Sequence, residues 1–299
     1  MKRITITILI TLILSPLGFS TDIGGLFHFG NLTLDEAETA PISDFSGTDY
    51  DWGVSVFGTK KVSDKITIDA GFYYDPVLKN TTYTIFSYDE GFFSIGVDPF
   101  FGLFNTMENP LKSGISTKFK VEVPGIIFAS FRADSSIGGR LIKEGDYLQE
   151  RNDVSLGFYV PNAILSLNLI TKNYVEKTSS QEIDTAFTEY SFKTEIFQKN
   201  VPYSLLLSFG YQKLAKTFTD GSVSSDNIIH SLILGTNIEA NFSPAFGMIL
   251  DLESSIYSFG YKDGDLITLP ESGPGMYLFR LSTGFVIHTD GFKKVKTEE

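Results

Sequence analysis

Apolar residues recur at every second position in segment after segment of this 299-residue chain. A two-residue period is the repeat of a β-strand, whose side chains alternate between faces, and not of a helix. In 277–287, Tyr277, Phe279, Leu281, Phe285 and Ile287 share one face with Thr283, while Met276, Leu278, Arg280, Ser282, Gly284, Val286 and His288 share the other, a mix of polar, small and apolar groups. In 201–211, Val201, Tyr203, Leu205, Leu207, Phe209 and Tyr211 oppose Ser204, Ser208 and Gly210, with Leu206 as an exception. In 113–123, Ile115, Phe119, Val121 and Val123 oppose Ser116, Lys118, Lys120 and Glu122. No long segment places apolar residues at i, i+3, i+4 and i+7.

The pattern predicts fourteen strands, at 22–31, 50–59, 64–73, 80–88, 91–98, 113–123, 125–133, 152–160, 163–173, 186–197, 201–212, 226–240, 244–255 and 274–288. Short connections at 60–63, 89–90, 124, 161–162, 198–200 and 241–243 interleave with those at 32–49, 74–79, 99–112, 134–151, 174–185, 213–225 and 256–273. All of the second set except 74–79 are long. Such alternation matches a barrel with tight periplasmic turns and longer outer loops, both chain ends falling at the periplasmic rim.

A strand with an apolar face towards hydrocarbon must still pair every N–H and C=O. Lipid offers no partners, so only a closed sheet avoids an unsatisfied edge. The expected fold is all-β: one closed antiparallel transmembrane barrel of fourteen strands over 21–288. A soluble sandwich or periplasmic barrel would use the same alternation with its apolar faces turned inward, and explains the loop order less well.

Residues 1–20 have the form of an export signal. Lys2 and Arg3 precede the apolar run Ile4–Leu14, Pro16 breaks it, and Gly18 and Ser20 set a cut before Thr21. A membrane anchor or a first buried strand is the alternative, although the run is short for a spanning helix. At the other end, 289–299 reads as a short periplasmic tail. The formal charge is −12, and removing Lys2 and Arg3 makes it −14. That balance disfavours nucleic acid as a partner. There is no cysteine, hence no disulfide or thiolate metal site.

With apolar faces outward, the register puts Asp51, Asp69, Glu122, Asp153, Glu189, Glu195, Glu239, Asp251 and Glu253 inside, with Lys118, Lys120, Arg132, Lys172, Lys193 and Arg280. Charges are costly in lipid and tolerable in a wet lumen. Phe57, Tyr73, Phe92, Tyr159 and Arg280 are expected to narrow that lumen. A loop such as 32–49 or 134–151 is the expected inward-folding element, since no long segment precedes strand one. His28 and His288 are expected to face inward near one another, and His230 to lie on the lipid side. No catalytic arrangement, metal site or cofactor is expected: H-E-x-x-H is missing, and no Gly-rich loop opens a helix.

The GGLFHFGNLTLD stretch at 24–35, the Phe/Tyr-rich strands and the loop alternation resemble outer-membrane barrels of spirochaetes, particularly the treponemal kind. That resemblance covers the mature chain. It implies a porin, a transporter of hydrophobic compounds or a structural barrel, with outer-membrane lipid, the barrel assembly machinery and small solutes as partners. The fatty-acid channels of this type carry an N-terminal hatch that has no counterpart here. Many such barrels end on an aromatic residue, whereas this chain continues past Phe285 to Glu299. The first expectation is a passive channel for small hydrophilic solutes. A hydrophobic-compound transporter or a structural, surface-interacting barrel are the alternatives, and oligomeric state stays open.

Overall fold

A computed structural model describes residues 21–31, 50–102, 112–136, 146–177, 181–197, 201–267 and 278–289. The predicted export signal 1–20, the outer loop 32–49 and the tail from 290 lie outside them. Fifteen strands run in chain order: β1 Thr21–Gly30, β2 Asp51–Lys61, β3 Ile66–Tyr73, β4 Thr81–Asp89, β5 Phe93–Gly102, β6 Ser113–Val123, β7 Ile127–Ser136, β8 Asp146–Val160, β9 Ala163–Lys177, β10 Gln181–Phe197, β11 Tyr203–Asp220, β12 Val223–Ser243, β13 Phe246–Lys262, β14 Asp265–Ile267 and β15 Phe279–His288.

Each strand pairs antiparallel with its neighbour, and β1 pairs β15, so the sheet closes on itself. Because β14 is a three-residue hairpin arm on β13, β15 pairs β13 directly and fourteen strands complete the ring. The Asp263–Gly264 turn before β14 has positive φ at both residues, the backbone of a type I′ hairpin.

Pairing fixes which residues share a face. On β11, Tyr203, Leu205, Leu207, Phe209 and Tyr211 look outward, and the series then changes to Lys213. Tyr203 to Lys213 is ten residue steps, about 33 Å of strand. At a tilt of roughly 40° this is about 25 Å of height, the apolar belt of an outer-membrane barrel. Aromatic residues edge the belt on both sides. Phe29 stacks on Tyr50 at 4.9 Å, and His230 on Phe259 at 4.8 Å, towards the outer side. Phe92, Phe93, Phe242 and Phe246 lie beside the turns at the end where β1 begins and β15 finishes. This closed, apolar-belted barrel is an outer-membrane protein.

The wall is uneven. β3 and β4 have 8 and 9 residues, whereas β10 to β13 have 17 to 21. The segments expected as loops at 174–185 and 213–225 are largely paired strand, and the second reverses at 221–222 with Gly221 at φ 57°. Much of 256–262 continues β13 in the same way. Each strand expected from sequence ends where its outer face ceases to be apolar. That point marks the edge of the lipid, and backbone pairing goes on into water. At the other rim the reversals are tight, with Gly91, Gly125 and Asn162 at positive φ.

Candidate functional site

The β3–β4 connection, 74–80, turns into the barrel. Its sequence is Tyr-Asp-Pro-Val-Leu-Lys-Asn, an apolar pair inside a short polar turn. Val77 and Leu78 are 2% and 1% exposed. They pack against Tyr174 of β9, Phe187 of β10, Leu214 of β11 and Ile229 of β12, all inward residues of the tall wall opposite. The segment therefore crosses the bore. Leu214 lies one residue beyond Lys213, so the crossing sits near the outer edge of the lipid belt.

Polar contacts hold it from every side. Asp75 Oδ1 accepts the backbone N–H groups of Val77 and Leu78 at 2.9 and 3.0 Å, which shapes the turn. Asp75 Oδ2 accepts Lys172 Nζ at 2.5 Å. The Tyr74 N–H donates to Ser55 Oγ at 3.0 Å, and its ring lies on His28, centroids 5.6 Å apart. His28 in turn bonds Ser55 at 2.8 Å and Ser282 at 2.9 Å. Position 53 must be glycine for Tyr74 to lie there, because a Cβ would overlap the ring. From β6's lead-in, fully buried Lys112 donates its ammonium to the Leu78 carbonyl and sits 4.7 Å above the Tyr174 ring.

Burial alone would raise the Asp75 carboxyl pKa, but Lys172 and Arg151 outweigh it and hold the group well below the usual carboxylate range. A carboxyl depressed on folding gives stability that is full above its unfolded value, near 4, and lost as pH falls through the lower folded value. The crossing segment is therefore expected to hold unchanged between pH 7 and about 5. Release is expected only in stronger acid. Limited proteolysis of 74–80 across that range, on protein folded in detergent, measures this.

The inner wall carries two charge networks. On β6 to β8, Asp134 accepts Arg132 Nε and Nη2 at 2.8 and 3.0 Å, Tyr83 OH at 2.8 Å and Ser116 Oγ at 2.5 Å. Gln149 Nε2 donates to Tyr83 OH at 3.1 Å, and Arg151 is paired with Asp153 at 2.6 Å. On β10 to β15, Gln212 Nε2 donates to Glu253 Oε1 at 2.6 Å and to Glu189 Oε2 at 3.4 Å, and Arg280 pairs with Glu253. Nearer the periplasmic rim, Lys120 and Tyr159 both hold Glu122.

Of the residues assigned to the interior from sequence, Asp51 and Arg280 line a 20 Å³ niche beside Pro76. Asp69, Lys118 and Arg132 line a larger cavity of about 310 Å³. Lys172 is drawn to the crossing segment, and Glu189 and Glu253 form one network. Lys193 stands opposite Ser208, Glu195 opposite Leu206 and Glu239 opposite Ser204, outside these hydrogen-bonded clusters, whereas Asp251, opposite Ser282, lies in the field of Arg280 and Glu253. Asp75, Lys112, Asp134, Arg151 and Glu176 fall in the connections expected from sequence. The alternation runs unbroken from 152 back to 149 and from 173 on to 176, which would have found Arg151 and Glu176. An apolar Val-Leu pair in the one short outer connection was the signal for 74–80.

Two expectations need correction, and a third falls largely on residues outside those described. Among the described residues the inward element is 74–80; loop 32–49 and residues 137–145 lie outside them. Phe92 does not narrow the lumen: it is 63% exposed at the rim and meets Phe93 edge to face. His28 and His288 are not neighbours. β1 does close on β15, but His28 pairs with Ser282 and His288 with Asp22, six steps and about 20 Å apart. Among the described residues no group of three or more His, Asp and Glu side chains is placed to hold a metal ion.

No family model and no curated protein matches this chain. Among solved structures, it is similar to a loop L8 deletion mutant of OmpT, an outer membrane protein of Vibrio cholerae, with 9% identity over 90% of this chain and 98% of that one, TM-score 0.41. It is also similar to a bacterial polysaccharide outer membrane secretin, 9% identical over 90% and 97%, TM-score 0.45. An anion-selective porin from Comamonas acidovorans is 9% identical over 90% and 98%, TM-score 0.38. At these values the likenesses say nothing about what passes through the barrel.

Proposed function

We propose that this barrel is a porin-like passive channel for small hydrophilic solutes, gated by the 74–80 segment, and of the kind implied by its resemblance to treponemal barrels. One observation carries the reading: among the described residues, a bore with charged walls on both sides is crossed by a single short connection. A wall built only for structure gains little from buried ion networks, since such pairs roughly offset their own desolvation. The fifteen charged positions named from sequence are read as its water-facing lining, with those at the two networks setting the path.

Purified protein in planar bilayers is expected to give brief, discrete conductance steps. The closed bore also favours a second reading, a structural barrel. Persistent silence of the wild type, while a variant with a loosened 74–80 segment conducts, would put the structural reading in its place. Transport of hydrophobic compounds is not favoured, because the cavity beneath the crossing segment is lined mainly by charged and hydroxyl-bearing side chains.

A further inference from the structure

The 310 Å³ cavity lies on the periplasmic side of the crossing segment, with Asp75 and Leu78 as its roof. Two oppositely charged side chains open into it without a direct partner. Asp69 on β3 faces Thr59 and Ile85 across its strand neighbours, and Lys118 on β6 faces Gly96 and Arg132. Neither side chain makes a hydrogen bond or ion pair among the described residues. Lys118 directly opposite Arg132 is a like-charge cross-strand pair, an arrangement that destabilises a sheet. Arg132 is held by Asp134, and Lys118 meets the opposite charges of Asp69 and Asp98 without touching either. Sequences depart from such local rules mostly where a site requires it.

The remaining lining fits one ligand class. Arg132 and Arg151 each commit Nε and Nη2 to an aspartate on their own strand, and their Nη1 groups are free to meet a ligand. With Lys118 they supply three cationic donors on one side, and Asp69 supplies an acceptor on the other. Tyr73 and Tyr83 line it too, the Tyr83 ring already covered by the Arg132 guanidinium at 4.6 Å. We infer that this cavity binds small zwitterionic solutes, of the amino-acid class, with the carboxylate towards Lys118, Arg132 and Arg151 and the ammonium towards Asp69. Its volume is at the lower end for a ligand pocket, which limits it to small molecules. This inference rests on the channel reading for its biological meaning but not for its test.

The test is calorimetric titration of the full-length protein, folded in detergent, with glycine, 4-aminobutanoate and 6-aminohexanoate. Butanoate and butylamine serve as single-charge controls. At least one amino acid is expected to bind ~tenfold or more tightly than either control. Lys118→Met and Asp69→Asn should each remove that preference, while Lys193→Met, on the far wall, should not. Two results overturn the inference: butanoate binding as well as the amino acids and indifferent to Asp69→Asn, or no heat from any of the amino acids. Binding by a barrel that never conducts would leave the site standing and end the channel reading. Conductance without binding would do the reverse.

Discussion

Replacing Val77 and Leu78 together by serine is expected to open the barrel. Both side chains are almost wholly buried against Tyr174, Phe187, Leu214 and Ile229. Burying an aliphatic side chain of this size contributes about 1.5–3 kcal/mol, so losing two removes about 3–6 kcal/mol from the closed state. At 1.4 kcal/mol per tenfold, the open-to-closed ratio rises on the order of 100-fold or more. Serine is the right replacement because it introduces no charge for nearby Lys112 to capture. The strand ladder is untouched, so the variant should fold, and a heat-dependent shift on a detergent gel confirms that. Mean current in planar bilayers is the readout. A folded variant with wild-type current would show that 74–80 does not control the bore. Lys172→Met, which strips Asp75 of its ammonium partner, should act in the same direction with a smaller effect.

Leu207→Arg should be among the most damaging single changes to the barrel's stability. Leu207 lies midway along the outer face of β11 and is 44% exposed, with Leu205 and Phe209 on either side. An arginine at the bilayer midplane of such a wall costs about 2–4 kcal/mol. Leu206, the adjacent residue, faces the bore opposite Glu195 on β10. Leu206→Arg should cost far less, because its charge meets water and a carboxylate. Urea titrations of folding into lipid vesicles compare the two. Equal losses, or a larger loss at 206, would invert the assignment of faces and with it the membrane placement.

How much could be read in advance differs along the chain. β6, at 113–123, has bulky apolar groups on one face and charges on the other, and its bounds in the structure are the same. β7 was harder to place, because Ile126 and Ile127 are both bulky; the structure gives Ile126 to the turn and starts the strand at Ile127. β10 and β11 extend well beyond their apolar stretches, since pairing above the lipid needs no apolar face. The interior charges could be sorted by parity, but their partnerships could not. Asp75 and Lys172 are 97 positions apart and meet only because a low wall faces a tall one.

What the order of residues determined by itself was the barrel: a period of two, repeated between alternating connections, leaves a chain in lipid no way to satisfy its backbone except a closed ring. Whether the ring is hollow was a matter for tertiary structure. A seven-residue turn lies in or out according to the space and the side chains that meet it across the bore, and those come from four strands remote in sequence. Local pattern carries no information about such distances. Only closure of the sheet brings Leu78 to Phe187, and Asp69 to the same cavity as Lys118.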